Sequence, residues 1–218
     1  MAEFRVFIAE SNNPLDFYLG RLDGHAANEA LKVRRIPSLY RVVLDRKMLK
    51  KALAAAGRFE TDIFHLSCHG DETGIQLADG EELGWEELAD ELTPLASRSR
   101  ILVNSSCVGG HSGIAKAFRA TSNRFGYICG STRSTEDDGV GYHDACLAWS
   151  ILYNVLANRQ SRSRAAFQDA IDKINAVVAG DFVYRRWDGK MRGYRSYPAR
   201  AGVKGGKRKK PPRSPGTA

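Results

Sequence analysis

The sequence predicts a single α/β domain built on a mostly parallel central sheet with helices on both of its faces. Apolar segments of strand length alternate with segments whose apolar residues recur at helical spacing, which is typical of parallel strands joined by helices. The chain has 218 residues and a hydrophobic fraction of 43%, enough for one sizeable core. We therefore assign residues 1–198 to the domain and expect residues 199–218 to form a disordered basic tail.

Six segments rich in β-branched and aromatic residues predict the strands of the sheet. In chain order they are Phe4–Ala9, Leu39–Leu44, Thr61–Cys68, Arg100–Ser106, Phe125–Gly130 and Phe182–Trp187. A hairpin is predicted between the third and fourth strands, because Asp79-Gly80 separates Ile75–Leu77 from Glu81–Leu83 and Asp-Gly favours a tight turn. A further turn is predicted at Asp188-Gly189, after the last strand.

The intervening residues carry helix patterns with capping residues. Asn12, Asn13, Pro14 and Gly20 predict a loop after the first strand. Helices are predicted from the N-cap Asp45 to the C-cap Gly57, over Trp85–Leu92 before Pro94, from the N-cap Ser112 through Phe118, over His143–Ala157, and from Ser161 through Val178. The helix at His143–Ala157 is apolar on nearly every side, so we expect it to be buried.

The positive charge of the chain is concentrated in the tail. The formal net charge is +8, and seven basic residues with no acidic residue lie between Ala199 and Ala218, which leaves +1 for residues 1–198. Lysine and arginine in the tail could contact phosphates, but no aromatic residue follows Tyr197 to stack on bases. We therefore expect at most weak, non-specific nucleic-acid binding by the tail.

The composition also restricts the setting of the protein. No apolar run approaches the roughly 18 residues of a membrane span, and the first residues lack a signal-peptide layout, so we expect a cytoplasmic protein without a membrane partner. None of the four cysteines forms a Cys-x-x-Cys pair, so neither disulfides nor a structural zinc site is expected. No motif indicates an organic cofactor.

A histidine and a cysteine that each follow a predicted strand are the strongest functional indication in the sequence. His69 comes directly after Thr61–Cys68, and Cys107 comes directly after Arg100–Ser106. Because the carboxyl ends of neighbouring parallel strands lie at one edge of a sheet, the imidazole and the thiol would meet there. An imidazole that accepts the thiol proton creates a nucleophilic thiolate. The pair therefore favours a cysteine hydrolase.

The segments ending in His69-Gly70 and in Ser105-Ser106-Cys107-Val108-Gly109 resemble the caspase-like (clan CD) superfamily of cysteine peptidases, and its prokaryotic CHAT branch in particular. The resemblance covers roughly Phe4 to Trp187 and implies a three-layer sandwich with a Cys–His dyad and no third member. It implies that Cys107 attacks the scissile carbonyl and that His69 is the general acid–base. It also implies an oxyanion hole formed by the backbone N–H groups of Gly70 and Cys107.

The other histidines and cysteines have simpler interpretations. His111 lies four residues after Cys107 on the same loop, which makes it a weaker candidate base. We expect His65 to be buried and hydrogen-bonded, and His25 and His143 to lie at the surface or at a pocket rim. Core positions are expected for the remaining cysteines, which are Cys68, Cys129 and Cys146.

Acidic residues near the predicted strand ends suggest a preference for basic substrates. The loop Ser131–Tyr142 contains Glu136, Asp137 and Asp138, and one of these is predicted to line the first specificity pocket and to select Arg or Lys. Asp16 is a second candidate. A solvated acidic loop explains the same residues equally well.

Two functions remain open at this point. The first is a cysteine endopeptidase that cleaves a protein substrate and is controlled by a regulatory or sensor protein in trans, since this chain carries no TPR or sensor module. The resemblance implies a role in a prokaryotic stress or defence pathway. The alternative is a catalytically silent caspase-fold module that binds a protein partner or nucleic acid.

Overall fold

The structure is a computed structural model that describes residues 4–133, 139–179 and 181–199. The strands are β1 (Val6–Ser11), β2 (Ser38–Val42), β3 (Ile63–Gly70), β4 (Gly74–Gln76), β5 (Glu82–Gly84), β6 (Ile101–Ser105), β7 (Tyr127–Ser131), β8 (Phe182–Asp188) and β9 (Gly193–Tyr197). The helices are α1 (Pro14–Leu19), α2 (Asp23–Val33), α3 (Arg46–Arg58), α4 (Trp85–Leu92), α5 (Ser112–Ala120), α6 (Tyr142–Arg159) and α7 (Arg164–Val177).

The central sheet is mostly parallel, which confirms the predicted fold class. Its order is β2-β1-β3-β6-β7-β8-β9, and the first five of these strands run in one direction. β8 is antiparallel to β7, and β9 is antiparallel to β8. The predicted Asp79-Gly80 hairpin is also present, since β4 and β5 pair antiparallel beside the end of β3.

The strand order changes direction around β1. From β1 the chain moves outward to β2 and then returns to β3 on the other side of β1. The connection after β1 packs α2 on one face of the sheet, whereas the connection after β2 packs α3 on the opposite face. Such a reversal opens a crevice between the carboxyl ends of the two central strands, and ligands commonly bind there. The ends of β1 and β3 therefore border the expected site.

Each face of the sheet has its own apolar core. Phe7 and Phe64 pack with α3, α4 and α5, whereas Ile8 and Ile63 pack with α2, α6 and α7. Successive residues of a strand point to opposite faces, so a strand covered on both sides is apolar throughout. α6 is buried against the second core through Trp149 and its neighbours, as its all-round apolar sequence predicted.

The region between β1 and β2 differs from the prediction. Residues expected to form a loop contain α1, which begins because the side chain of Asn13 accepts a hydrogen bond from the N–H of Asp16 and because Pro14 suits the first turn. α2 was not predicted either. Its N-cap residue, Leu22, provides no capping side chain, so no local sequence pattern marks where this helix begins.

Several boundaries also differ. Asp45 caps α3 as predicted, but Gly57 lies inside that helix, which continues to Arg58. The N-cap of α5 is His111, and the predicted cap Ser112 is the first residue of that helix. The N-cap of α7 is Ser163, two residues after the predicted start at Ser161. β9, which was not predicted, follows the predicted turn at Asp188-Gly189. In residues 4–133, 139–179 and 181–199, no helix is long and apolar enough to cross a membrane.

Candidate active site

His69 lies where β3 emerges from the core. The strand is buried up to Cys68 and becomes partly exposed at His69, whose side chain is 40% exposed. Its Nε2 atom lies 2.7 Å from Oδ2 of Asp16, a carboxylate on α1 that is only 5% exposed. The side-chain nitrogen of Asn13 lies 3.0 Å from the same Nε2 atom. The hydroxyl of Tyr142, at the start of α6, lies 3.5 Å from this nitrogen, so the two nearer partners come from α1 and its N-cap and a third from α6.

The carboxylate of Asp16 determines which nitrogen of His69 carries the proton. A carboxylate only accepts hydrogen bonds, so Nε2 donates to it. The side-chain NH2 group of Asn13 is also a donor, and a protonated Nε2 cannot accept a hydrogen bond from it. The contact with Asp16 is shorter and charge-assisted, so we assign the tautomer from that contact. Nδ1 is then the basic nitrogen of the neutral ring. Asp16, which the sequence suggested for the substrate pocket, contacts the histidine, a contact that the sequence did not reveal; its part in substrate selection stays a prediction.

Cys107 lies on a tight turn between β6 and α5. The next residue, Val108, has a φ of 58°, in the left-handed region that β-branched residues avoid. Val108 makes two of the hydrogen bonds that hold this turn: its N–H donates to the carbonyl of Arg133 at 3.1 Å, and its carbonyl accepts from the N–H of His111 at 2.7 Å. No described residue accepts a hydrogen bond from the N–H of Cys107, so that donor is available to a ligand.

The ends of β3 and β6 meet at this edge of the sheet. A Cβ atom added to Gly70 would lie 3.0 Å from Cβ and Oγ of Ser106, so the residue after His69 packs directly against the residue before Cys107. His69 and Cys107 line the same cavity, which encloses about 160 Å³. The predicted juxtaposition of the two side chains at neighbouring strand ends is therefore present, and both open into one space.

The backbone at Gly139 lies close to the sulfur of Cys107. A Cβ atom added to Gly139 would lie 2.8 Å from Sγ of Cys107, and Gly139 has a φ of 63°. No larger residue fits at this position without displacing the sulfur or the loop. The predicted specificity residues Glu136, Asp137 and Asp138 come just before it in the sequence and lie outside the described residues.

Asp23 is a buried carboxylate in the wall of this cavity, and the sequence did not single it out. It is the first residue of α2 and is 3% exposed. Its carboxylate accepts hydrogen bonds from the hydroxyl groups of Ser67, at 2.6 Å, and Ser105. Ser105 in turn accepts a hydrogen bond from Nε1 of Trp149 at 2.6 Å. Burial raises the pKa of Asp23, and no described lysine or arginine forms an ion pair with it.

Glu10, at the end of β1, is a second buried carboxylate next to Asp23. It accepts hydrogen bonds from the N–H groups of Gly24 and His25 at 2.9 and 3.0 Å and from the hydroxyl of Tyr40 at 2.7 Å. Glu10 thereby satisfies the first amides of α2, which lacks a capping side chain of its own. Burial, followed by the charge of Asp23, raises the pKa of Glu10 to about 7.

A second cavity of about 610 Å³ adjoins the first beside the β4–β5 hairpin. Its lining includes the carboxylates of Asp71, Glu82 and Glu87. His69 lines both cavities, whereas Cys107 lines only the first. The imidazole therefore lies between a small cavity containing the thiol and a larger acidic groove, which we call the hairpin groove.

The other histidines do not contribute to either cavity. His65 is fully buried, its Nδ1 atom lies 2.7 Å from the hydroxyl of Tyr153, and burial lowers its pKa to about 3. It is therefore the buried, hydrogen-bonded residue that the sequence predicted. His111 lies at the N-cap of α5. His25 and His143 are exposed, as predicted.

The other cysteines are less suited to act as nucleophiles. Cys68 and Cys129 are buried, as predicted, and burial raises the pKa of both thiols. The prediction of a core position for Cys146 is wrong, because this residue is half-buried on α6; its partial burial raises its pKa to about 11. Across the described ranges, no cluster of three or more His, Cys, Asp and Glu side chains could hold a metal ion.

Comparison with known proteins gives a likeness in three-dimensional structure. No protein-family model matches the chain, and no curated protein matches it. Fourteen chains of solved structures do match. One of them belongs to a complex of Porphyromonas gingivalis RgpB pro- and mature domains; it has a TM-score of 0.49 and 13% sequence identity and covers 81% of this chain and 43% of that chain. The present chain thus spans less than half the length of that match.

Proposed function

We propose that this chain is a cysteine endopeptidase that cleaves protein substrates after a basic residue. The observation that carries the proposal is that His69 and Cys107 line one cavity whose wall also contains the buried carboxylate of Asp23. A nucleophile, a base and a charge that selects the substrate are the three elements that such a reaction needs.

The reaction follows from the atoms at the cavity. Nδ1 of His69 accepts the thiol proton, and the sulfur of Cys107 attacks the carbonyl carbon of the scissile bond. The carbon–nitrogen bond then breaks while His69 returns the proton to the leaving amine, and a water molecule hydrolyses the thioester. The N–H groups of Gly70 and Cys107 donate to the oxyanion, an interaction worth about 3 kcal/mol per donor in other enzymes.

Asp16 acts in this scheme as a positioning residue. Its carboxylate holds the ring of His69 so that Nδ1 is the basic nitrogen. Asp16→Asn is expected to lower kcat about 10- to 100-fold with little change in KM, because an amide can present its NH2 group to Nε2 and favour the wrong tautomer. Nitrogen NMR of the histidine ring should show the change of tautomer directly. A normal kcat with an unchanged tautomer would contradict this role.

The preference for a basic residue follows from the unpaired carboxylates. Asp23 and Glu10 are buried side by side without a described cation, and a lysine or arginine side chain entering the cavity would supply the missing positive charge. Asp23 is thus a candidate for the selecting role that the sequence suggested for other carboxylates. A selecting role for Asp16 and for residues 136–138 remains a prediction.

Thiol labelling tests the nucleophile. The protein is incubated with an iodoacetamide-type probe, alone and with cell lysate, because a regulator in trans is part of the proposal. We expect Cys107 to be labelled faster than Cys129 and Cys146, and Cys107→Ala to lose only that signal. Equal labelling of all three cysteines under both conditions would favour the silent binding module.

Peptide kinetics test the selectivity. A panel of peptides that differ only in the residue before the cut should show turnover with Arg and Lys and little with Leu or Asp. Asp23→Asn removes one charge-assisted interaction of about 1.5–3 kcal/mol, so kcat/KM for the Arg peptide should fall roughly 10- to 150-fold. Asp90→Asn, an exposed change on α4, is the matched control. Equal turnover of basic and apolar peptides would refute the role of Asp23.

A further inference from the structure

β2 lies at one end of the central sheet, and among the described strands it pairs only with β1. The N–H of Val43 donates to the carbonyl of Glu10 on β1. Because the backbone groups of successive residues alternate between the two sides of a strand, those of Ser38, Tyr40 and Val42 point away from β1. The outer edge of β2 therefore faces no described strand and has the hydrogen-bonding groups to pair with one more.

One flank of α3 extends this edge. Arg46 and Lys50 form ion pairs with Glu91 on α4, so their flank of the helix faces α4. Met48 and Lys51 lie on the opposite flank, which faces the β2 end of the sheet. We call the outer edge of β2 and the side chains around it the β2 edge surface; these side chains are Arg41, Val42, Leu44, Met48 and Lys51.

The β2 edge surface exposes apolar side chains. Val42, Leu44 and Met48 are 40%, 46% and 37% exposed. Charged residues commonly protect an edge strand from pairing, and the side chain of Arg41 donates to the outward carbonyl of Tyr40 at 2.8 Å. Exposed apolar side chains have the opposite effect, so protection of the edge does not explain this composition. A strand that pairs with β2 would bury them.

The charge of this region specifies what kind of strand fits. Residues 32–58 contain nine basic residues and one acidic residue, Asp45, a net charge of +8. Since residues 1–198 carry +1, the rest of them carry −7. Neither Arg41 nor Lys51 forms an ion pair with a described carboxylate. An acidic segment would supply the missing negative charge.

Two other occupants match the surface less well. A second copy of the chain, paired edge to edge, would bring the same cations of the two molecules together, which is unfavourable. Nucleic acid would contact the cations through its phosphates but would leave the three exposed apolar side chains uncovered. An acidic polypeptide in extended conformation uses the cations, the apolar side chains and the free backbone groups together.

We propose that the β2 edge surface binds an extended acidic segment of a partner protein, which adds a strand to the sheet beside β2. The backbone of that segment pairs with the outward groups of Ser38, Tyr40 and Val42. The inference does not depend on the peptidase reaction, because the described lining of the Cys107 cavity includes no residue of this surface.

The side chains of the segment would alternate between the two faces of the sheet. Val43 packs in the core beneath α3, so Arg41, two residues earlier, points to the same face and lies on the side of Lys51. Val42 points to the opposite face. Carboxylates on one face of the segment would therefore meet the cations, while apolar side chains on its other face would cover Val42.

Hydrogen exchange measured by NMR on the full chain tests strand addition. The probe is a fluorescein-labelled peptide of alternating Glu and Val residues. When it binds, the amides of Ser38, Tyr40 and Val42 should exchange at least about tenfold more slowly, whereas those of Leu39 and Arg41, already bonded to β1, should not change. Binding without protection of the outward amides would overturn the proposal.

A backbone-methylated peptide separates strand pairing from charge attraction. Methylation of alternate backbone nitrogens keeps every carboxylate of the probe but removes the donors that pair with β2. Fluorescence anisotropy should show that this peptide binds at least about tenfold more weakly than the unmodified one. Equal affinities would mean that charge alone attracts the probe and would refute strand addition.

Charge reversal locates the binding surface. Arg41→Glu combined with Lys51→Glu should raise the Kd of the peptide at least about tenfold. Lys116→Glu combined with Arg119→Glu makes the same change of charge on α5, beside β9 at the other end of the sheet, and should leave the Kd unchanged. Cys107→Ala should also bind as the wild type does. Urea unfolding checks that each variant is folded, and an unchanged Kd for the first double variant would overturn the proposal.

The alternative occupants give distinct results. A single-stranded oligonucleotide that displaces the peptide at concentrations below the Kd of the peptide would identify nucleic acid as the occupant. Sedimentation that shows a wild-type dimer, lost in Arg41→Glu combined with Lys51→Glu, would identify a second copy of the chain. Either result would overturn the proposal, whereas a monomer that binds the peptide in preference to the oligonucleotide supports it.

Discussion

Replacing Glu10 by glutamine should stabilise the protein increasingly as the pH rises. Burial and the charge of Asp23 raise the pKa of Glu10 from 4.5 to about 7. A carboxyl group whose pKa is raised by folding binds its proton more tightly in the folded state. Its contribution to stability is therefore complete below pH 4.5 and is lost as the pH rises through 7. The interval from 4.5 to about 7 corresponds to about 3.5 kcal/mol of folding free energy, at about 1.4 kcal/mol per pKa unit.

Urea unfolding followed by tryptophan fluorescence measures the effect. Between about pH 5 and pH 8.5, the free energy of unfolding of Glu10→Gln should rise relative to the wild type by about 2.5 kcal/mol, because glutamine does not ionise. Glu29→Gln, an exposed change on α2, the helix whose first N–H groups donate to Glu10, should give a profile parallel to the wild type. A difference between Glu10→Gln and the wild type that stays constant across this range, or that grows toward acid pH, would refute the assignment of the raised pKa to Glu10.

Three further substitutions test the packing around the site. Gly70→Ala should lower kcat/KM at least about tenfold, because the new Cβ would lie 2.9–3.0 Å from Gly74 and Ser106 and would push the ends of β3 and β6 apart. The control Gly84→Ala should remain active, because no atom lies closer than 3.8 Å to its new Cβ. Trp149→Phe should lower the free energy of unfolding by about 1 kcal/mol in urea, because Ser105 loses its donor. Phe118→Ala should cost about 3–5 kcal/mol and lower the Tm, since this ring is fully buried.

The strand ends and the His–Cys pair were predictable because their information is local. Ile63 and Phe64, or Ile101 and Leu102, mark buried strands by their own chemistry, and the polar residue that follows each run marks the edge of the sheet. Parallel pairing then brings the ends of neighbouring strands together. The hairpin at Asp79-Gly80 was predictable for the same reason, since the turn depends on residues adjacent in sequence.

The carboxylates around the site were not predictable, because their roles depend on contacts between residues far apart in sequence. Glu10 ends an apolar strand and Asp23 begins an unmarked helix, and only the folded chain buries them together. The hydrogen bond between His69 and Asp16 depends on the formation of α1, and this six-residue helix is too short to be distinguished from a loop in the sequence. β9 was not predicted, because its residues are mostly polar or aromatic and it is an edge strand that pairs with β8 alone among the described strands.

The left-handed residue Val108 makes the turn that carries Cys107 a weak point of the fold. A valine in this conformation is strained by about 1–3 kcal/mol, and at position 108 two backbone hydrogen bonds and burial keep it there. When denaturant loosens these restraints, the turn relaxes toward an ordinary conformation and the sulfur at 107 swings away from the imidazole. Inactivation should therefore precede melting: at low urea, alkylation kinetics at Cys107 change while the tryptophan spectrum still reports an intact core.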